Sequence, residues 1–264
     1  TPACFFVRQM KLFFIWLACF VLFCSCDNHP NPTNEVQNAP KSQEKKDPET
    51  KALQIAEGLV DIQQINSTIQ LDLKYASTDN FLHEKLYERL TTAYLQKDVA
   101  LRLSLVQKAL SRAYPGYKLL IYDALRPVSV QQKMWKALDT LAPSERGKYV
   151  SNPKNLSLHN MGAAIDLSIS DAEGNPLDMG AGFDDFRPIA YPSLEDSFLR
   201  SGQLTPLQVK NRNILRNAMQ AQGFRQLPTE WWHYNACSRA EAKQKYKVTY
   251  TENDIFTTPS LKTY

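Results

Sequence analysis

Ser157-Leu158-His159-Asn160-Met161-Gly162-Ala163-Ala164-Ile165-Asp166-Leu167-Ser168-Ile169 decides how the chain is read. Residues 163–169 read as a strand, with Ile165, Leu167 and Ile169 on one face and Ala164, Asp166 and Ser168 on the other. Asp166 therefore leaves the apolar face and points at something polar. His159 stands seven residues before Asp166. An odd separation within one strand would place the two on opposite faces, so His159 belongs to the loop before the strand, with Gly162 as the bend.

A second stretch, Glu230-Trp231-Trp232-His233-Tyr234, leads into a core strand over 231–236 and offers another imidazole. Two histidines and one carboxylate with an open fourth position form the ligand set of a catalytic zinc site, one ion per chain. Glu230 then stands as the base that takes a proton from water. Each piece also has a plainer reading. His159 and Asp166 alone could be a surface hydrogen-bonded pair, and Trp231 and Trp232 core or pocket wall. Economy favours the metal: His29 lies in a polar N-terminal stretch, His83 has no partner pattern, and the two remaining histidines fall in these two motifs.

Working outward, 117–122 is a β-rich run that ends in Tyr122-Asp123-Ala124-Leu125-Arg126-Pro127. A residue before proline is held extended, so Arg126 projects from a strand end, where it can donate to the oxyanion of an attacked amide. A structural Asp123–Arg126 pair is the alternative. The alternation from Ile69 to Tyr75 predicts a half-buried strand. Asp98 is placed to cap a helix through Arg112, with Val99, Leu103, Val106 and Leu110 on one face. Ser129 to Leu141 reads as a second helix, 143–158 as loop, and 180–204 as a long functional loop. Thr205-Pro206 opens a third helix that Gly223 closes. The tail 240–264 suggests a short hairpin. Helices and strands mix without strict alternation, which predicts an α+β domain rather than a doubly wound sheet.

Composition narrows the function classes. The 264 residues, 43% of them hydrophobic, suffice for one core of good size. A net charge of +4 with balanced signs gives no support to nucleic-acid binding. Of the five cysteines only Cys237 lies beyond residue 26, which excludes a disulfide scaffold and a cysteine-rich zinc ribbon. The apolar run Leu12–Phe23, about a dozen residues against the roughly 20 of a membrane span, follows Arg8 and Lys11 and reads as a signal peptide whose natural start is Met10. It ends in Phe23-Cys24-Ser25-Cys26, like a bacterial lipobox, with Cys26 as the lipidated residue and Cys24 as the fallback. An ordinary cleaved signal is the plainer alternative. Residues 27–50 are polar and proline-bearing, a disordered linker. The expected organisation is a leader at 1–26, a linker at 27–50 and one catalytic domain at 51–264. The expected location is the bacterial cell envelope, periplasmic or at the surface, with membrane contact through the lipid anchor only.

The pattern S-x-H-x-x-G-x-A-x-D at 157–166 with E-W-W-H at 230–233 resembles the D-alanyl-D-alanine dipeptidases, the group that includes the vancomycin-resistance dipeptidase. Residues 72–81, 123–127 and 179–184 support the likeness in the same order, and it covers roughly residues 58–240. The zinc motifs are shared with D,D-carboxypeptidases, peptidoglycan endopeptidases and hedgehog signalling domains; the 75–81 and 179–184 stretches point to the dipeptidase branch. The resemblance implies an α+β domain with a mainly antiparallel sheet around one zinc ion. It implies His159, Asp166 and His233 as ligands, Glu230 as base and Arg126 as transition-state donor. It implies Asp184 and Tyr75 at the free amino group of a dipeptide, and Ser157 at the substrate's far end. Asp184 taken alone reads as a solvated loop acid. The implied reaction is hydrolysis of D-Ala-D-Ala; the alternatives are a zinc D,D- or L,D-carboxypeptidase or endopeptidase on peptidoglycan stems, and a non-catalytic zinc-bearing binding module. The chain departs from the family in a shorter 135–159 segment and in its lipoprotein leader, which suits recycling of the dipeptide in the envelope better than resistance.

Overall fold

The structure is a computed structural model that describes residues 54–257. The leader, the linker, His29, Cys24 and Cys26 lie outside the described residues. The centre is a five-stranded sheet in the order β3 (Gln70–Leu71), β5 (Lys118–Asp123), β6 (Ala164–Ser170), β8 (Glu230–Asn235), β7 (Arg225–Leu227). Only the β3–β5 pair is parallel; the others are antiparallel. Two small ribbons flank it: β2 (Leu59–Asp61) with β4 (Tyr94–Gln96), and β1 (Gln54–Ile55) with β9 (Phe256–Thr257). This is the expected α+β arrangement with a mainly antiparallel sheet.

The main core lies between the sheet and its two longest helices, α2 (Lys97–Ala113) and α6 (Pro206–Gln220). Val99, Leu103, Val106 and Leu110 of α2 meet Leu119 and Ile121 of β5, Ile165, Leu167 and Ile169 of β6, and Ile214, Leu215 and Met219 of α6. Every residue of β6 is buried, so the polar face of that strand looks into an enclosed site rather than into solvent. Thr205 and Gln208 form a reciprocal capping box at the start of α6, with Pro206 in its first turn. The shorter helices are α1 (Ile62–Ile65), α3 (Val128–Ala137), α4 (Pro143–Arg146), α5 (Glu195–Arg200) and α7 (Arg239–Lys245). Among the described residues, no helix is long and apolar enough to cross a membrane.

Several local expectations are corrected. The strand expected over Ile69–Tyr75 pairs at Gln70–Leu71 alone, and Lys74–Ala76 is a 3-10 turn. Lys74 is drawn to Asp72 and Asp79, and Tyr75 turns inward to full burial. Asp98 does not cap α2. It sits inside the first turn, where its charge suits the helix dipole, and accepts from Tyr246 Oη at 2.7 Å. The second helix ends at Ala137 rather than Leu141, and the loop expected at 143–158 contains α4 and a 3-10 turn. Within 180–204, two 3-10 turns and α5 occupy 188–200, which leaves 180–187 and 201–204 irregular. The described part of the tail, up to Thr257, contains no hairpin. Ser238 and Glu241 make a capping box that starts α7, and Phe256–Thr257 pairs with β1 instead.

Candidate active site

Sheet register assembles the site. Asp166 of β6 is the cross-strand partner of His233 on β8 and, across a bulge on β5, of Asp123. Three polar residues thus form a row across three adjacent strands. His159 joins them from the 3-10 turn Leu158–Met161, which Ser157 caps and the left-handed Gly162 (φ 63°) ends. A Cβ at residue 162 would lie 3.2 Å from Gln96 N and from Leu59 Cδ2, so the turn packs too closely there for a larger residue to fit unstrained.

His159, Asp166 and His233 are all buried, and one donor atom from each lies within 4.8 Å of the others. His159 Nε2 is 3.2 Å from His233 Nδ1 and 3.4 Å from Asp166 Oδ2, and His233 Nδ1 is 2.9 Å from Asp166 Oδ1. Two imidazole nitrogens and a carboxylate oxygen converging on one point, with the cleft on the open side, fit a three-ligand zinc site. The remaining ring nitrogens are also occupied: His159 Nδ1 contacts Ala124 O at 2.7 Å and His233 Nε2 contacts Asn235 Oδ1 at 2.9 Å. Burial opposes the charge of Asp166, yet His159 and His233 hold its carboxyl well below the usual carboxylate range. Burial likewise opposes charge on His233, but its hydrogen bond to Asp166 and that carboxylate's charge push it up to about 9.

Arg126 reaches the same cluster from the β5–α3 connection. Its Nε and Nη2 contact Asp123 Oδ2 at 2.9 and 2.7 Å, and Nη2 lies 3.4 Å from Asp166 Oδ2. The structural pair with Asp123 and the placement beside the triad are therefore one arrangement: the pair holds the guanidinium against the triad. Tyr87 Oη donates to Asp123, and the Arg126 guanidinium stacks over the Tyr75 ring at 5.0 Å. The backbone is tied as well, with Arg126 N donating to His159 O and Asn160 Nδ2 donating to Arg126 O.

A small cleft of about 60 Å³ opens on the triad, lined among others by Tyr75, Arg126, Ser157, Asp184, Glu230 and Trp232. Glu230, at the start of β8, brings Oε2 within 3.8 Å of His233 Nδ1. Burial raises its carboxyl pKa above the ordinary value, against the lowering effect of His233; such a shift strengthens a carboxylate as a base. Asp184 is not the solvated loop acid of its plainer reading. Tyr75 Oη donates to its two oxygens at 3.1 and 3.2 Å, and desolvation, then the charge of Asp166, pushes its carboxyl up to about 8. Ser157 Oγ accepts from His159 N at 3.3 Å and faces the cleft as well. Trp231 donates to Ala181 O, and Phe183 packs against Tyr75, Tyr122 and Trp232. His83 is exposed and takes no part.

The sequence reading overlooked Asn235, Tyr87 and Asn160. Asn235 carried a readable signal, two residues beyond His233 on the same face of one strand. Tyr87 and Asn160 had none, since long-range packing alone brings them to Asp123 and Arg126.

The family described as "D-ala-D-ala dipeptidase" matches this chain over residues 55–253. A D-alanyl-D-alanine dipeptidase of Escherichia coli (strain K12) is 36% identical over 177 residues, which make up 67% of this chain and 83% of that one. Another, from Synechocystis sp. (strain ATCC 27184 / PCC 6803 / Kazusa), is 27% identical over 56% of this chain and 71% of that one. Among solved structures, a vancomycin-resistance D,D-dipeptidase in complex with a D-Ala-D-Ala phosphinate analogue aligns at a TM-score of 0.36 and 19% identity, covering 60% of this chain and 57% of that chain.

Proposed function

The chain belongs to the D-ala-D-ala dipeptidase family, and from that premise we propose that it is a zinc metallopeptidase that hydrolyses D-alanyl-D-alanine to two D-alanines. His159, Asp166 and His233 would hold the zinc ion, the two imidazoles turning Nε2 and Nδ1 toward it. When bound, zinc supplies Lewis acidity, polarising the scissile carbonyl and bringing water toward ionisation near neutral pH. Glu230 takes the proton from the attacking water and returns it to the leaving amine nitrogen as the C–N bond breaks. Arg126, already fixed by Asp123, donates to the oxyanion that develops on the attacked carbonyl. A binding module would need neither group.

The observation that carries the substrate reading is Asp184 in the same cleft as the triad. Its partner there is a phenol rather than a cation, and its raised pKa marks a carboxylate short of counter-charge. The free ammonium of a dipeptide supplies that charge, and Tyr75 orients the carboxylate that receives it. A peptidoglycan stem presents an amide at this point, which cannot neutralise Asp184. Ser157 lines the cleft as a further substrate contact.

The test is purified full-length protein with zinc, offered D-Ala-D-Ala, its N-acetyl form and an acetylated tripeptide ending in D-Ala-D-Ala. Release of D-alanine from the free dipeptide alone is expected. Efficient cleavage of the tripeptide would hand the function to the carboxypeptidase reading. We further propose, from the sequence at 12–26, that the enzyme is anchored in the bacterial envelope through a lipid on Cys26. Expressed in a bacterium, it should incorporate labelled fatty acid and Cys26→Ala should not; an unlabelled wild type would refute the anchor.

A further inference from the structure

The two imidazoles of the triad turn opposite nitrogens toward its centre, and different kinds of acceptor hold them there. His159 presents Nε2, with Nδ1 held 2.7 Å from the main-chain oxygen of Ala124. His233 presents Nδ1, with Nε2 held 2.9 Å from the side-chain oxygen of Asn235. A neutral imidazole carries one N–H, and only its other nitrogen can ligate a metal. For His233 to ligate through Nδ1, its N–H must sit on Nε2 and needs an acceptor there. No substitution can remove the carbonyl that serves His159, whereas the acceptor that serves His233 is a replaceable side chain.

We propose that Asn235 is a positioning residue of the metal centre: its amide oxygen holds His233 in the Nε2–H tautomer and aims the Nδ1 lone pair at zinc. The inference rests on the zinc reading above. The placement follows from strand geometry. Residues 233 and 235 share one face of β8, and the main chain at Asn235 is pinned between Ala164 of β6 and Arg225 of β7. The ring is thus gripped from both sides, by Asp166 at one nitrogen and Asn235 at the other.

The experiment measures zinc affinity of the full-length, metal-stripped protein by competition with a chelating dye. Loss of such an outer partner weakens metal binding by about 10–100-fold, the effect expected of Asn235→Leu, which keeps the volume and removes the acceptor. Asn235→Asp keeps an acceptor oxygen and should bind within about threefold of wild type, well inside that range. Nitrogen-15 NMR of the zinc-loaded wild type should show His233 protonated at Nε2 and ligated at Nδ1, a readout that needs no variant. Unchanged affinity in Asn235→Leu, equal losses in the Leu and Asp variants, or the reverse tautomer would each overturn the inference. His233→Ala separates the two levels. Wild-type affinity in that variant overturns the metal site and this inference together. Loss of zinc there with unchanged affinity in Asn235→Leu overturns the inference alone.

Discussion

The two ends of the cleft are built by different means. At the metal end, Asp123, Asp166 and His233 occupy registered positions on three neighbouring strands, and His159 sits on a capped turn tied by main-chain bonds to Arg126. A slip of one residue in any of these strands would turn its site residue to the opposite face. At the other end, Asp184 sits on a loop in a left-handed conformation (φ 58°). Side chains hold that loop: Arg212 donates to Met179 O, Trp231 to Ala181 O and Tyr75 to Asp184. On the proposed function, the reaction is written into sheet register, and the choice of substrate into a loop that can vary without disturbing the sheet.

That division predicts that substitutions at the metal end strike turnover and those at the loop end strike recognition. The largest effect is expected of Glu230→Gln, which should retain zinc and lose turnover by about 10²–10⁴-fold, the contribution of a general base. Stopped turnover measured beside metal content checks both halves of that statement. Next comes Arg126→Ala, expected to lower kcat and kcat/KM together by about 10²–10³-fold, as for the loss of one oxyanion donor. A change confined to KM would move Arg126 to the recognition side and blur the division. Asp184→Asn should cost free D-Ala-D-Ala about 10–100-fold in kcat/KM, the range of a lost charged hydrogen bond. Its zinc content should match wild type, because Asp184 is not a ligand.

The smallest effect is one of stability, and its sign is opposite. The Asp184 carboxyl is pushed up to about 8 in the folded, metal-free protein, whereas an unfolded aspartate titrates near 3.9. Between those values the folded state binds the extra proton, so this residue costs stability progressively as pH rises from about 4 to 8. Asn also tolerates the left-handed conformation and removes the charge. Asp184→Asn should therefore raise the Tm of the metal-free protein at pH 8.5, by about 2–4 °C per kcal/mol recovered in a domain of this size, and by less at pH 5. An equal gain at both pH values would show that the charge is not the cause.

The same contrast explains what could be read from the chain. His159, Asp166 and His233 were legible because each lies in a short motif and strand alternation fixes which way Asp166 points. The path from Ile69 to Tyr75 was misread because alternation reports facing, not pairing; β3 finds a partner for two residues only, after which Lys74 turns to two acids. The start of the tail, residues 239–245, is a helix that Ser238 and Glu241 announce through a capping box, a local signal of a helix start. The burial of Asp184 had no local signal, since Tyr75 reaches it from 109 residues away.

The ribbon of β1 and β9 has an architectural consequence. Gln54 and Thr257 are register partners, as are Ile55 and Phe256, so the two ends of the described residues lie about 5 Å apart, one strand spacing. A module whose ends meet can be spliced into a surface loop of a host protein, or its ends joined and the chain reopened elsewhere, without stretching the sheet between. The ribbon is separate from the central sheet that carries the triad, so the place where these two ends meet lies outside the strands that position the site.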